Sequence, residues 1–160
     1  MGKKFELTDK FIINVFGIKL FQIKCTKSFK YAQKGDLGGY VEKEGNLDQE
    51  NDAWVYGNAQ VSGNARVSGD AQVSCNAQVS GNANIKNNNE HCGFDGFGSC
   101  NRHTHAYLTK EKKVEITCGC FRGSIEEFEK KVEETHSGTI YEKQYKAIIN
   151  VIKIKFGLTD

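Results

Sequence analysis

Between Ala53 and Asn88 the apolar positions recur every six residues, AWVYGN-AQVSGN-ARVSGD-AQVSCN-AQVSGN-ANIKNN. Ala53, Ala59, Ala65, Ala71, Ala77 and Ala83 open the hexapeptides, and Val55, Val61, Val67, Val73, Val79 and Ile85 follow two positions later. No helix has that period. An Ala-x-Val triplet places both apolar side chains on one face of a short strand, because successive side chains alternate across it. The Gly-Asn or Gly-Asp pair that closes most hexapeptides tolerates the backbone angles of a sharp corner.

A strand, a corner and a repeat of the two predict a coil closed by three hexapeptides, so that residues eighteen apart stack. Val55 then lies against Val73, Val61 against Val79 and Val67 against Ile85. The predicted fold class is mainly β: a left-handed parallel β-helix of about three coils, with an N-terminal β-hairpin cap and a C-terminal ββαα unit. Six strict repeats give only two coils, and so short a stack needs caps or copies of itself. Counting back by six from Ala53 reaches Leu47 and Val41, which predicts a preceding irregular coil over the glycine-rich segment Lys34 to Leu47.

On either side the pattern changes. Residues 10–25 hold two β-rich runs, KFIINV and IKLFQIKC, joined at Phe16-Gly17, and predict a hairpin. After Asn88 the period fails. The segment His91 to His105 carries three glycines among polar and reactive side chains, and AYLT and VEITC flank KEKK as a second hairpin. Ser124-Ile125-Glu126-Glu127 has the form of a capping box opening a helix with Ile125, Phe128 and Val132 on one face. His136-Ser137-Gly138 ends it, and a second helix is predicted from about Ile140 to Phe156 with Tyr141, Tyr145, Ile148, Ile149 and Ile152 as its stripe. The organisation predicted is residues 1–34 as the hairpin cap, 35–90 as the repeats and 91–160 as the C-terminal unit.

Composition adds little to this. The net charge is +2, although residues 1–34 carry eight lysines against two acids; nucleic acid is not an expected partner, and the basic block is read as a solvated face. The most apolar run, Phe11 to Ile23, is interrupted by Asn14, Lys19 and Gln22 and is far shorter than a membrane span. With no signal peptide visible, a cytoplasmic location is expected, and the six scattered cysteines are read as thiols.

Gly35-Asp36-Leu37-Gly38-Gly39-Tyr40-Val41-Glu42, then Asn46-Leu47, Ala53-Trp54-Val55-Tyr56 and the repeats, resembles a family of hexapeptide-repeat proteins of phages and prophages of Gram-positive bacteria. Ile116-Thr117-Cys118-Gly119-Cys120-Phe121-Arg122-Gly123 is similar to the tail of many of them. The resemblance implies the coiled fold, a homotrimer with parallel axes and a bacterial host cell; it implies no shared biochemical activity.

Four kinds of chemistry fit the residues. Acyl-CoA-dependent acyl transfer is known on hexapeptide prisms, but the strict repeats here have no inserted loop and only His91 lies near them as a base. Cys92, Cys100, His103, His105, Cys118 and Cys120 are zinc-ligand types, but no Cys-x2-Cys pair occurs, and neither a metal nor a cofactor is expected. Two of only three arginines, Arg102 and Arg122, stand near glycines and hydroxyls, and a guanidinium presents a planar fork to phosphate. Ser99, Arg102, His103, Thr104 and Arg122 are therefore the candidate ligand-binding residues, for a nucleotide or other phosphate-bearing molecule. Finally, Trp54 and Tyr56, outward-facing on the first strict strand, are candidate interface residues for self-assembly or for a host protein. The function expected is that of a non-enzymatic binding protein, an anti-defence or regulatory factor that sequesters an anionic ligand or a host protein; acyltransferase and purely structural assembly protein are the alternatives.

Overall fold

The two-residue triplet cores of the repeats form the shortest strands in the chain. In a computed structural model that describes residues 2–159, they are β4 (Trp54–Val55), β5 (Gln60–Val61), β6 (Arg66–Val67), β7 (Gln72–Val73), β8 (Gln78–Val79) and β9 (Asn84–Ile85). They pair in parallel at the predicted interval of eighteen: Val55 with Val73, Val61 with Val79 and Val67 with Ile85. The hydrogen bonds of these ladders are regular, for example Trp54 N–H to Ala71 O at 3.0 Å and Gln60 N–H to Ala77 O at 2.8 Å. All the alanines and valines of the pattern are buried, as is Ile85.

The fold class nevertheless needs correction. The chain is a mixed α/β protein, with a mixed sheet of five strands, an antiparallel sheet of four and two parallel pairs, together with two helices. A mainly β chain organised as a left-handed parallel β-helix of about three coils is not what these sheets and helices make up. The physical reason lies in strand length. Each parallel strand of the repeats is two residues long, whereas β1 (Phe5–Ile13) and β2 (Lys19–Cys25) form a long antiparallel hairpin, and β3 (Leu37–Val41) joins that hairpin to β5 and β8.

The count back from Ala53 also misplaces the preceding segment. Val41 pairs with Val61, and Leu47 bridges Val67, an interval of twenty rather than eighteen. The additional residues widen the corner at Asp48–Asp52, which the buried Lys4 holds by donating from Nζ to the carbonyls of Asn51 (2.6 Å) and Ala53 (2.8 Å). Burial lowers the Lys4 pKa to about 8. The glycine pair in the same segment has a steric cause. A Cβ on Gly39 would sit 2.7 Å from the Ala59 carbonyl oxygen, and one on Gly38 would sit 2.6 Å from that of Val55.

The C-terminal unit is also larger than expected. His91–Phe97 and Arg102–Leu108, read from sequence as an irregular glycine-rich segment followed by AYLT, are the strands β10 and β11. With β12 (Val114–Cys118) and β13 (Phe121–Ser124) they make an antiparallel sheet in sequence order, so the unit is ββββαα rather than ββαα. Helix α1 (Ile125–His136) opens on the predicted capping box: Ser124 Oγ accepts from Glu127 N–H at 3.1 Å, and Glu127 Oε2 accepts from Ser124 N–H at 2.7 Å. Helix α2 (Ile140–Lys155) buries Tyr145, Ile148, Ile149 and Ile152.

Alternation divides the four-stranded sheet into two faces. Ala106, Ile116 and Cys118 join the helices in one core, while Tyr107 belongs to the core of the repeats and the N-terminal hairpin. The repeat face is stitched to the edge of the repeats through Thr117, whose hydroxyl donates to Gln78 O at 2.7 Å, and through Lys110 N–H to Asn82 O at 2.9 Å. Among the described residues no helix is long and apolar enough to cross a membrane.

Candidate functional site

Strand register decides which of the polar residues of 91–122 meet. Thr104 lies opposite Cys118, and Cys118 opposite Phe121, so these share the helix face; His105 lies opposite Thr117, and Thr117 opposite Arg122, on the repeat face. The five ligand-binding candidates are thereby separated. Ser99 and Arg102 line a cavity toward the helices, Thr104 is fully buried with its hydroxyl donating to Cys118 Sγ at 3.4 Å, and His103 and Arg122 face the other way. Arg122 pairs with Glu115 at 3.5 Å beside the corner at Gly81. A single site built from all five does not form.

The helix-side cavity has a volume of about 250 Å³. Its floor is aromatic. Phe121 lies 5.1 Å from Phe128, Phe128 meets Tyr145 edge to face at 5.5 Å, and His136 stacks on Tyr145 at 5.5 Å between ring centres. Arg102 and Lys131 reach its wall, with the hydroxyls of Ser99 and Thr135 and the thiols of Cys100 and Cys120. Among the described residues no carboxylate lines it. Among the described residues neither Arg102 nor Lys131 is in an ion pair.

Two glycines give the cavity its shape. At Gly98 (φ +79°) a Cβ would collide with the Tyr145 hydroxyl, and at Gly119 (φ +59°) it would collide with the Arg102 guanidinium, so both side chains lie flat on bare backbone. The Gly98 N–H is held by Gln144 Oε1 of α2 at 2.9 Å. Burial, with the Cys118 thiol beside it, pushes the Tyr145 phenol up, and it stays a protonated donor.

On the repeat face three imidazoles form a continuous chain. Asp95 Oδ1 lies 2.7 Å from His103 Nδ1, His103 Nε2 lies 2.9 Å from His105 Nδ1, and His105 Nε2 lies 2.9 Å from His91 Nδ1. His91 Nε2 then reaches Asn88 Oδ1 at 3.3 Å. Gly93 makes the room, since a Cβ there would lie 2.5–2.7 Å from the two rings at the His103–His105 contact. Burial lowers the His91 pKa to about 4 and holds that of His105 well below the ordinary histidine value.

The other candidates resolve similarly. His91, the base considered for acyl transfer, is buried with both ring nitrogens engaged in this chain. The zinc-type residues do not converge: Cys118 faces the helices while His103 and His105 face the repeats, and among the described residues no group of three or more His, Cys, Asp or Glu is arranged to hold a metal. Trp54 is not an exposed interface residue. It is 1% exposed, covered by Phe5 at 6.4 Å and Phe29 at 5.4 Å between ring centres from its own N-terminal segment. Tyr56 packs part-buried beside it, its hydroxyl near Tyr31 O and Gln72 Oε1.

Sequence reasoning missed Lys131, His136 and Tyr145 at the cavity and Asp95 and Asn88 at the ends of the histidine chain. A signal for the chain was present: His103 and His105, two apart in an otherwise β-rich RHTHAYL, share one strand face. A scan of protein-family models finds no match to this chain, and no curated protein matches it.

Proposed function

We propose that the chain is a non-enzymatic binding protein whose C-terminal cavity takes a small anion with a flat apolar part, of the nucleoside monophosphate type. The observation that carries this reading is the pairing of two cations, Arg102 and Lys131, without a carboxylate partner among the described residues, with an aromatic floor of Phe121, Phe128 and Tyr145 in one cavity. A guanidinium and an ammonium suit a phosphate dianion, and the rings suit a base. The hydroxyls of Ser99 and Thr135 add donors. At about 250 Å³ the cavity is at the small end of ligand sites, which run from roughly 300 to 1,000 Å³; that size suits a mononucleotide better than a dinucleotide.

The likeness of the repeats and the Cys-Gly-Cys-Phe segment to prophage hexapeptide-repeat proteins supplies a setting in which such a protein withdraws a nucleotide-type signal inside a bacterial host. The test is calorimetric titration with nucleoside monophosphates, nucleosides and inorganic phosphate in parallel. Arg102→Ala is expected to weaken monophosphate binding by about 10- to 100-fold, the value of a lost charge-assisted hydrogen bond of about 1.5–3 kcal/mol. Arg122→Ala, outside the cavity, is expected to leave it unchanged. Equal losses in the two variants, or no heat with any of the three ligand sets, would overturn the reading.

A further inference from the structure

The histidine chain on the repeat face has acceptors at both ends. Asp95 is a carboxylate, and Asn88 Oδ1 is fixed as an oxygen because it also accepts the Gln72 main-chain N–H at 2.8 Å. Four contacts run through three rings, and each contact needs one proton to be a hydrogen bond. A neutral imidazole carries one N–H and an imidazolium two. Three neutral rings therefore supply three protons for four contacts, and one contact must bring two lone pairs face to face.

We propose that the three histidines form a single proton-binding site, which takes up one extra proton as a unit and thereby completes a hydrogen-bonded chain from Asp95 to the repeat tract at Asn88 and Gln72. In the neutral form the unmatched contact falls at His91–Asn88, at 3.3 Å the longest of the four. The added proton makes one ring an imidazolium, whose charge is shared along the chain toward Asp95. The latch between the C-terminal sheet and the repeats is complete only in the protonated form.

The surroundings set where this happens. Burial of the rings opposes the charge, and the Lys155 ammonium at the end of α2 adds to that at His91, while Glu90 in the turn before β10 favours it. Glu90 itself lies 3.9 Å from Lys112. Along the same sheet face Glu115 and Arg122 pair with one another. Cys92 on β10 is a half-buried thiol whose pKa burial raises, against the opposing pull of the Lys155 ammonium. Among the described residues Asp95 is the one carboxylate hydrogen-bonded to the rings.

The proton count makes one substitution decisive. In Asp95→Asn the amide can donate to His103 Nδ1, after which three neutral rings supply every remaining contact and no extra proton is called for. Asp95 is half exposed and touches only His103 within the chain, so the change is mild for folding. The test is a ring-nitrogen NMR titration of the full chain carrying His136→Gln, which leaves only the three linked histidines. The expected result is one shared transition worth one proton, displaced in Asp95→Asn to at least tenfold weaker proton affinity or lost before acid unfolding. Three separate transitions, no uptake in the Asp95 protein before it unfolds, or an unchanged midpoint in Asp95→Asn would each overturn the proposal. Thermal melts of both variants at pH 7 keep a folding defect distinguishable from a changed proton site.

Discussion

The repeats over residues 53–85 and the sheet over residues 91–124 share an interface, yet they bury different things. Apart from Trp54 and Ser62, the buried residues of the repeats are Ala, Val or Ile, with valines paired eighteen positions apart to Val or Ile, and no titratable side chain of the repeats is buried. The sheet buries His91, Thr104, His105, Tyr107 and Thr117. The reason is the edge it covers. A tract of two-residue strands presents carbonyls and amides between its side chains, and whatever packs there must supply partners, because an unpaired buried polar group costs about 1–3 kcal/mol. Thr117 answers Gln78, Lys110 answers Asn82, and the histidine chain ends on Asn88 and Gln72. The sheet's other face meets helices, whose backbone groups are already satisfied, and is free to be apolar around a ligand-sized cavity. Chemistry collects where an aperiodic sheet meets the periodic repeats.

The contrast is broken most forcefully at the opposite end of the repeats. Trp54 is held between Phe5 and Phe29 with almost no exposure, and its truncation to Ala is expected to cost about 3–5 kcal/mol, the usual loss for a buried aromatic. Urea denaturation followed by far-UV circular dichroism measures it. Ligand binding at the C-terminal cavity is expected to survive in the folded fraction, because Trp54 and the cavity belong to different hydrophobic cores. A loss below 1 kcal/mol would mean that the N-terminal segment only rests on the repeats.

Acid comes next in size and acts on the sheet rather than the repeats. The His91 pKa is lowered to about 4 in the fold by burial, from 6.5 in an unfolded chain. Between those values the unfolded state binds the proton and the folded state does not, so stability is full above about pH 6.5 and falls as pH drops toward 4. For His91 alone the loss is on the order of 3 kcal/mol at the lower limit. Urea midpoints at pH 7, 6, 5 and 4.5 should decline, and His91→Gln should flatten the slope between pH 6.5 and 5, where carboxylates contribute least. A flat profile in the unsubstituted chain would make the sheet as indifferent to protons as the repeats.

What was legible follows the same division. The eighteen-residue pairing, the capping box at Ser124 and the apolar stripes of both helices could be read because each is a local rule repeated along the chain. The fold class could not. It depends on β1 starting at Phe5 and on His91–Phe97 being a strand, and two glycines in that segment, Gly93 and Gly96, disguised its alternation. The twenty-residue offset of Val41 and Leu47 depends on a corner held by Lys4, far away in sequence. At the site, Arg102 and Ser99 were selected by residue type and do line the cavity, while Arg122 was selected by the same rule and faces away. Residue type marks a candidate; strand parity decides its face, and parity cannot be assigned before the strand is.

The smallest effect lies within the repeats and tests how nearly periodic they are. Four corners carry glycine at φ between +56° and +63°, at Gly57, Gly63, Gly69 and Gly81, and the fifth carries Cys75 at φ +61°. A side chain in the left-handed region costs about 1–2 kcal/mol, against about 0.5–1 kcal/mol for the greater freedom of glycine in the unfolded chain. Cys75→Gly should therefore stabilise the protein by about 0.5–1 kcal/mol, seen as a rise in Tm of a few degrees under reducing conditions. The corners are not interchangeable in the other direction: a Cβ at Gly69 would run into the Lys86 carbonyl, whereas the exposed Cys75 side chain finds only Ser74 Oγ, at 3.8 Å. A fall in Tm on removing the thiol would show that Cys75 makes a contact the other corners lack, and the repeat would be less uniform than its sequence.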